Sequence, residues 1–333
     1  MKLTGIQKQK HGAIGAREIG MILFILLLSL LIQLRNSQYL TAENLNDLLV
    51  NAAIMGTLAV GMMMVIITGG IDLSIGATLA LSGMSAALYV RGNEAASPVL
   101  AVLIGIGIGL LAGLINGLLV GYGEVLPLIA TLGMMNVYRG LTYIIANGAW
   151  VSAHQMNDGF KALAFTRLLG INSLVWVAIL TFAIGAFFLG WTRIGRMIYA
   201  VGSNPEAARV TGVNVPAIRT LVYAIMGTIT GLSGVLWVSK YASAQGDTAI
   251  GYEMNVIAAC VLGGVSISGG SGKVFGVILG TVLLGILKNA LPLLKISPFW
   301  QDALYGLIIL FAILMNTIFK RMVDKNNLQR RHI

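Results

Sequence analysis

Runs of about twenty apolar residues recur from one end of the chain to the other, and each is long enough to cross a hydrocarbon core roughly 30 Å thick. Few acidic or basic residues interrupt them. Of the 333 residues 57% are hydrophobic and 10% charged, against roughly 25% charged in an ordinary soluble domain. A chain so short of polar side chains cannot cover itself for water, so much of its solvent must be lipid. In lipid every backbone polar group has to be satisfied internally, which leaves helices or closed barrels. Runs of this length select helices. The expectation is an all-α, polytopic membrane protein forming a single transmembrane domain over residues 1–333.

Ten spans are expected, at about 18–34, 47–68, 74–90, 98–121, 126–146, 172–191, 219–239, 254–271, 274–293 and 299–319. The basic N-terminal segment and the apolar run after it resemble a signal peptide, but Arg35, Asn36, Ser37 and Gln38 follow where a small-residue cleavage site would stand, so the first span is read as uncleaved. An N-terminus on the inside places segments 1–17, 192–218 and 320–333 in the cytoplasm. Those segments carry Lys2, Lys8, Lys10, Arg17, Arg193, Arg196, Arg209, Lys320, Arg321, Lys325, Arg330 and Arg331, the bias that orients membrane proteins. The net charge of +10 is thereby explained without nucleic acid. A lone cysteine, Cys260, excludes an internal disulfide, and the scattered His11, His154 and His332 form neither a metal site nor a catalytic triad. The loop at 149–169, with Trp150, His154 and Asp158, is either an external docking surface or a connector.

Glycine is abundant and patterned. Gly105, Gly109, Gly113, Gly117 and Gly121 recur every four residues, a row that allows close approach of a neighbouring membrane helix. Two interrupted apolar segments, Gly69-Gly70-Ile71-Asp72-Leu73-Ser74-Ile75-Gly76 and Gly263-Gly264-Val265-Ser266-Ile267-Ser268-Gly269-Gly270, match at an offset of 194 residues. Glycine-broken segments in corresponding halves mark transporters built from repeats, parallel or inverted. An ionised carboxylate facing lipid costs about 2.5–3.5 kcal/mol, so Asp72 either caps a helix after a tight turn or lines a passage. Arg139, near Asn136 and Tyr138, either meets a hydroxylated solute, pairs with Asp72 or reaches the interface. Within 192–218, Asn204, Pro205 and Glu206 have the chemistry of a helix start and Gly212 that of a helix end. A short helix there, including Ala207, Ala208 and Arg209, is either a lever for a soluble partner or a plain connector. Gly272-Lys273 is not a phosphate loop, because Ile267 and Val274 stand where glycine and serine or threonine are required.

Glu206-Ala207-Ala208 followed by Gly212 resembles the coupling loop of ABC importer permeases. The stretches ITGGIDLSIG, IATLGMMNVYRG, VGSNPEAARVTGV and IAACVLGGVSISGGSGKVFG resemble, in that order, the permeases of ribose-type carbohydrate importers, which are related to the branched-chain amino-acid permeases. The C-terminal ISPFWQDALYGLIILFAILMN is most similar to the autoinducer-2 and rhamnose members. This resemblance implies a non-catalytic permease in the cell membrane, the inner one where there are two, importing a monosaccharide or sugar-like solute by alternating access. It implies no cofactor of its own, with ATP bound by a cytoplasmic ABC ATPase. The other implied partners are an extracytoplasmic sugar-binding protein and a second permease copy or a sister subunit. Carried onto this chain, 205–212 is the coupling helix, while the glycine segments and 136–140 lie near the pathway. A secondary transporter is the competing reading, but it would normally place coupling carboxylates within its spans, and Asp72 is the sole candidate.

Overall fold

The chain's architecture, taken from a computed structural model, is described for residues 15–297 together with Trp300, Ala303, Gly306, Leu307 and Leu310. It is almost entirely helical. The first part comprises α1 (Ala16–Arg35), α2 (Ala42–Ile67), α3 (Ile75–Val90), α4 (Pro98–Gly121) and α5 (Pro127–Ile145). A small cap follows, with β1 (Val151–Ser152), a 3-10 turn, α6 (Asp158–Phe165), β2 (Arg167–Leu168) and β3 (Ile171–Asn172). The remainder is α7 (Ser173–Trp191), α8 (Arg193–Ser203), α9 (Pro205–Val210), α10 (Val215–Tyr241), β4 (Ser243–Ala244), α11 (Tyr252–Leu262) and α12 (Val274–Leu293). Helices α1, α2, α4, α5, α7, α10 and α12 are long and apolar enough to cross a membrane, while α3 and α11 are shorter apolar helices.

Local chemistry sets the helix ends. Proline opens α4, α5, α9 and α10 in the first turn, where its missing N–H costs nothing. Thr41, Asn157, Asn172, Thr192, Asn204 and Asn214 accept backbone N–H groups at the starts of α2, α6, α7, α8, α9 and α10. The expected span at 254–271 is shorter than the sequence pattern implies: α11 stops at Leu262 and 263–273 is non-helical. Five glycines and three serines in that stretch leave the backbone too free and too hydrated to continue a helix. Segment 192–218, expected as a loop with one short helix, holds both α8 and α9. Of the expected span at 299–319 only the five scattered residues named above are described, and segments 1–14 and 320–333 lie outside the described residues.

The packing axis is the antiparallel pair α4 and α10. A Cβ on Gly109 or Gly113 would overlap backbone atoms of Gly227, and Gly117 faces the backbone of Thr220 in the same way. The glycine row therefore works by letting two main chains touch, a dispersion-driven contact that needs no hydrophobic effect. Helix α3 joins this pair where Gly83 lies against Gly234. Helix α2 is buried along most of its length, with α10, α12, α7 and α11 around it. Apolar side chains such as Leu23, Leu103, Ile144 and Phe187 point outward from α1, α4, α5 and α7, the distribution of a lipid-facing rim.

The cap closes one end of the bundle. Its Phe160 is fully buried, Asn157 donates to the carbonyls of Asn93 and Ala96, and Ser239 of α10 donates to Phe160. Strands β1 and β4 pair antiparallel, Val151 opposite Ala244. Helices α8 and α9 lie at the other end of α10. The bundle thus has an α6 end and an α9 end.

Candidate functional site

Both glycine segments are helix-ending turns of one kind. At the end of α2, Gly69 has φ +81°, its N–H donates to Ile66 and the N–H of Gly70 donates to Val65. At the end of α11, Gly264 has φ +95°, its N–H donates to Val261 and the N–H of Val265 donates to Cys260. These are two Schellman turns, in which a left-handed residue after the cap lets two N–H groups double back onto the last carbonyls. Geometry pairs Gly69 with Gly264, an offset of 195 rather than the 194 of the sequence match. Ser266 consequently does not take the place of Asp72. The two turns also differ in order, since a long helix precedes the first and a short helix precedes the second.

Asp72 is 2% exposed and sits in a closed web of hydrogen bonds. Its Oδ1 accepts from the N–H of Ser74 at 2.9 Å and from Ser74 Oγ at 2.7 Å. Ser74 Oγ in turn accepts from Asn116 Nδ2 at 2.8 Å, and the Tyr138 hydroxyl donates to the Ala112 carbonyl and to Asn116 Oδ1. Thr131 Oγ1 accepts from the N–H of Leu73, while Tyr223 donates to the carbonyl of Ile71. Non-helical backbone at membrane depth is tolerable when its polar groups find such partners. Ser74, not Asp72, is the N-cap of α3, so the carboxylate braces the turn from two residues before the cap. Of these web residues Asn116, Thr131 and Tyr223 were not singled out by sequence, and a polar side chain opposite a glycine break was the only available signal.

Arg139 does not pair with Asp72. Its NH1 group donates to the carbonyls of Gly246 and Thr248, both at 2.7 Å, clamping the stretch between β4 and α11. Asn136 lies on an exposed face of α5 and donates back to the Leu132 carbonyl. Ser266 is half-buried in the second turn, where its carbonyl accepts from Gly269, and Ser268 is exposed.

Helices α8 and α9 share one residue, because Asn204 ends α8 and begins α9, its side chain accepting from the N–H of Ala207 at 3.0 Å. Gly212 closes α9 with φ +83° through N–H bonds from Gly212 to Arg209 and from Val213 to Ala208, the same Schellman pattern. Ala208 is buried, whereas Glu206, Ala207 and Arg209 are exposed and Val210 is 88% exposed. The other end of this unit reaches both glycine turns. The N–H of Gly270 donates to the Ile67 carbonyl at 2.9 Å, and Gly202 of α8 sits against that junction so tightly that a Cβ would overlap the Ile67 oxygen. Tyr199 donates to the Gly272 carbonyl at 2.8 Å. Burial pushes its phenol above the usual tyrosine range, so it remains a donor.

The start of α1 holds the second turn from the other side. Arg17 donates to the carbonyls of Val261 and Leu262, the free C-terminal end of α11, and Glu18 pairs with Lys273 at 2.8 Å. Sequence placed Arg17 in a cytoplasmic segment and treated Lys273 only as a failed phosphate ligand. Two cavities lie at opposite ends of α2. One of about 330 Å³ at the α9 end touches Gly69, Gly70, Arg209, Arg219 and Tyr223. The other, about 590 Å³ at the α6 end, lies between α2, α10, α12 and the stretch clamped by Arg139. Asp72, Ser74 and Tyr138 line neither cavity.

Comparison with known proteins identifies the family. The family described as "Branched-chain amino acid transport system / permease component" matches residues 44–313. The chain is 39% identical over 311 residues to the ribose import permease protein RbsC of Bacillus subtilis (strain 168), covering 93% of this chain and 96% of that one. It is 35% identical over 297 residues to the L-arabinose ABC transporter permease protein AraH of Azospirillum brasilense, covering 89% and 86%. With the autoinducer 2 import system permease protein LsrC of Escherichia coli (strain K12 / DH10B) the identity is 34% over 311 residues, covering 93% and 90%. No solved structure matches the chain. The chain belongs to the permease-component family of the branched-chain amino acid transport systems, alongside permeases named for ribose, L-arabinose and autoinducer 2, and is an integral membrane transport subunit rather than an enzyme.

Proposed function

We propose that the chain is the permease subunit of an ATP-driven ABC importer that moves a monosaccharide or sugar-like molecule into the cell by alternating access. The names of its relatives support the solute class, with ribose the first to assay and L-arabinose and autoinducer 2 after it; rhamnose joins the panel on the C-terminal resemblance alone. On this reading a cytoplasmic ATPase binds the ATP, an extracytoplasmic binding protein delivers the solute at the α6 end, and a second copy or a sister permease completes the passage.

The observation that carries the reading is the continuity from α9 to the glycine turns. Residues Asn204, Pro205, Glu206, Ala207, Ala208, Arg209 and Gly212 make a rigid, doubly capped stub that exposes Val210 at its tip. Any displacement of the stub is passed by Asn204 into α8, and by Gly202 into the junction of Ile67 with Gly270. The candidate pathway residues Gly69, Gly70, Gly263, Gly264, Ser266 and Ser268 belong to those two turns. Asp72, Ser74 and Tyr138 stiffen the first turn, Arg139 holds the stretch at the α6 end, and Asn136 stands apart on α5.

Vesicles reconstituted with the ATPase and the binding protein test this by ATP-driven uptake of labelled sugar. Proline cannot adopt the positive φ of Gly212, so Gly212→Pro should abolish uptake while the protein still inserts and remains monodisperse. Uptake at the wild-type rate in that variant would remove the lever from the scheme.

A further inference from the structure

The larger cavity is not assigned by family membership or by any glycine motif, yet its chemistry is specific. Trp237 lies at its wall with ring centroids 4.9 Å from both Tyr241 and Tyr252, tilted by 46° to the first and edge-on at 81° to the second. Around this aromatic shelf stand polar groups that are costly in a membrane bundle unless they face water or a polar guest. Lys240 donates to Asn51 Oδ1 at 2.7 Å and rests 5.1 Å from the centre of the Tyr241 ring. Lys288 lies 5.2 Å from the centre of the Tyr252 ring. The side chain of Asn255 has no hydrogen-bond partner among the described residues, and Asp247 is exposed on the facing stretch that Arg139 clamps.

We propose that this chamber is a resting station for the transported solute, a neutral polyhydroxylated ring whose C–H face lies on Trp237 and Tyr252 while Asn255, Lys240 and Asp247 bind its hydroxyls. The assignment rests on the importer reading above. Its volume of about 590 Å³ falls in the range of roughly 300–1,000 Å³ usual for small-molecule sites, where aromatic walls and a few convergent polar groups fix the guest. Two lysines disfavour a cationic solute. Both ammonium groups are already drawn to ring faces, Lys240 also donates to Asn51, and Asp247 offsets one of the two charges, so an anion is not called for either. A solute with one apolar face and a rim of hydroxyls uses every feature present.

Full importer in vesicles, with its ATPase and binding protein, gives the test. Trp237→Leu removes the shelf and should lower sugar uptake roughly tenfold, whereas Trp237→Phe, which keeps a ring face, should stay near wild type. Cys260 is buried, so in an Asn255→Cys variant a maleimide reagent reads the chamber directly. Labelling of that cysteine should slow in the presence of the transported sugar and be unaffected by the corresponding sugar acid. Equal uptake in Trp237→Leu and Trp237→Phe, or labelling indifferent to the sugar, would overturn the station while leaving the importer reading intact. Protection by the sugar acid instead would overturn the neutral-solute assignment. Wild-type protein that moves no sugar with ATP would overturn the importer reading itself, and the station with it.

Discussion

The carboxyl group of Asp72 shows how a polar side chain is accommodated inside an apolar bundle. Burying a polar group without partners is expensive, and here Ser74 supplies two donors while Asn116 and Tyr138 extend the web. Replacing Asp72 by alanine would leave the N–H and hydroxyl of Ser74 without their acceptor, a penalty of roughly 1–3 kcal/mol. Thermal unfolding in detergent should therefore show a clear loss of stability for Asp72→Ala, with Asp72→Asn, which keeps one acceptor oxygen, falling between. A stability equal to wild type would show that the brace contributes nothing. The residue itself was legible in the sequence as an anomaly, but its partners were not. Asn116 and Tyr138 are 44 and 66 positions away, and only the packing of α4 and α5 against the turn brings them to it. Arg139 was visible for the same reason and misread in one respect, since nothing local says that a cation will prefer the carbonyls of Gly246 and Thr248 to a distant carboxylate.

At the scale of elements, the glycine row of α4 was readable because its four-residue period is a property of the helix itself. What α4 packs against was not readable, since α10 contributes Gly227 and Gly231 more than a hundred residues later. The consequence is a sharp positional contrast. Gly109→Leu must push α4 off α10 and should abolish monodisperse protein, whereas Gly107→Leu, with open space around its Cβ, should express normally. Size-exclusion profiles of the two variants decide it, and similar profiles would mean that the contact is not close. The caps of α9 were legible for a related reason: Asn204, Pro205 and Gly212 act within one turn of their own positions. The truncation of α11 was missed because the apolar run continues past Leu262 in composition while the Gly263-Gly264 pair ends the helix in conformation.

Across the whole molecule, the start of α1 and the end of α8 grip the second turn from two sides. The Glu18–Lys273 pair joins the first span to the last described one, and Glu18 is buried although Lys273 is largely exposed. Solvent screening limits such a pair to roughly 1 kcal/mol. A double-mutant cycle on thermal stability should still find coupling, with Glu18→Lys destabilising and the added Lys273→Glu recovering most of the loss. Strict additivity would show that the two side chains do not interact. The α4–α10 contact has a larger implication. Two main chains in direct contact have no side chains between them to yield, so their separation is fixed by van der Waals contact. On the importer reading proposed above, the pair would travel as a single plank, and the bending that admits and releases cargo would fall on the glycine-ended turns at either side of Gly202.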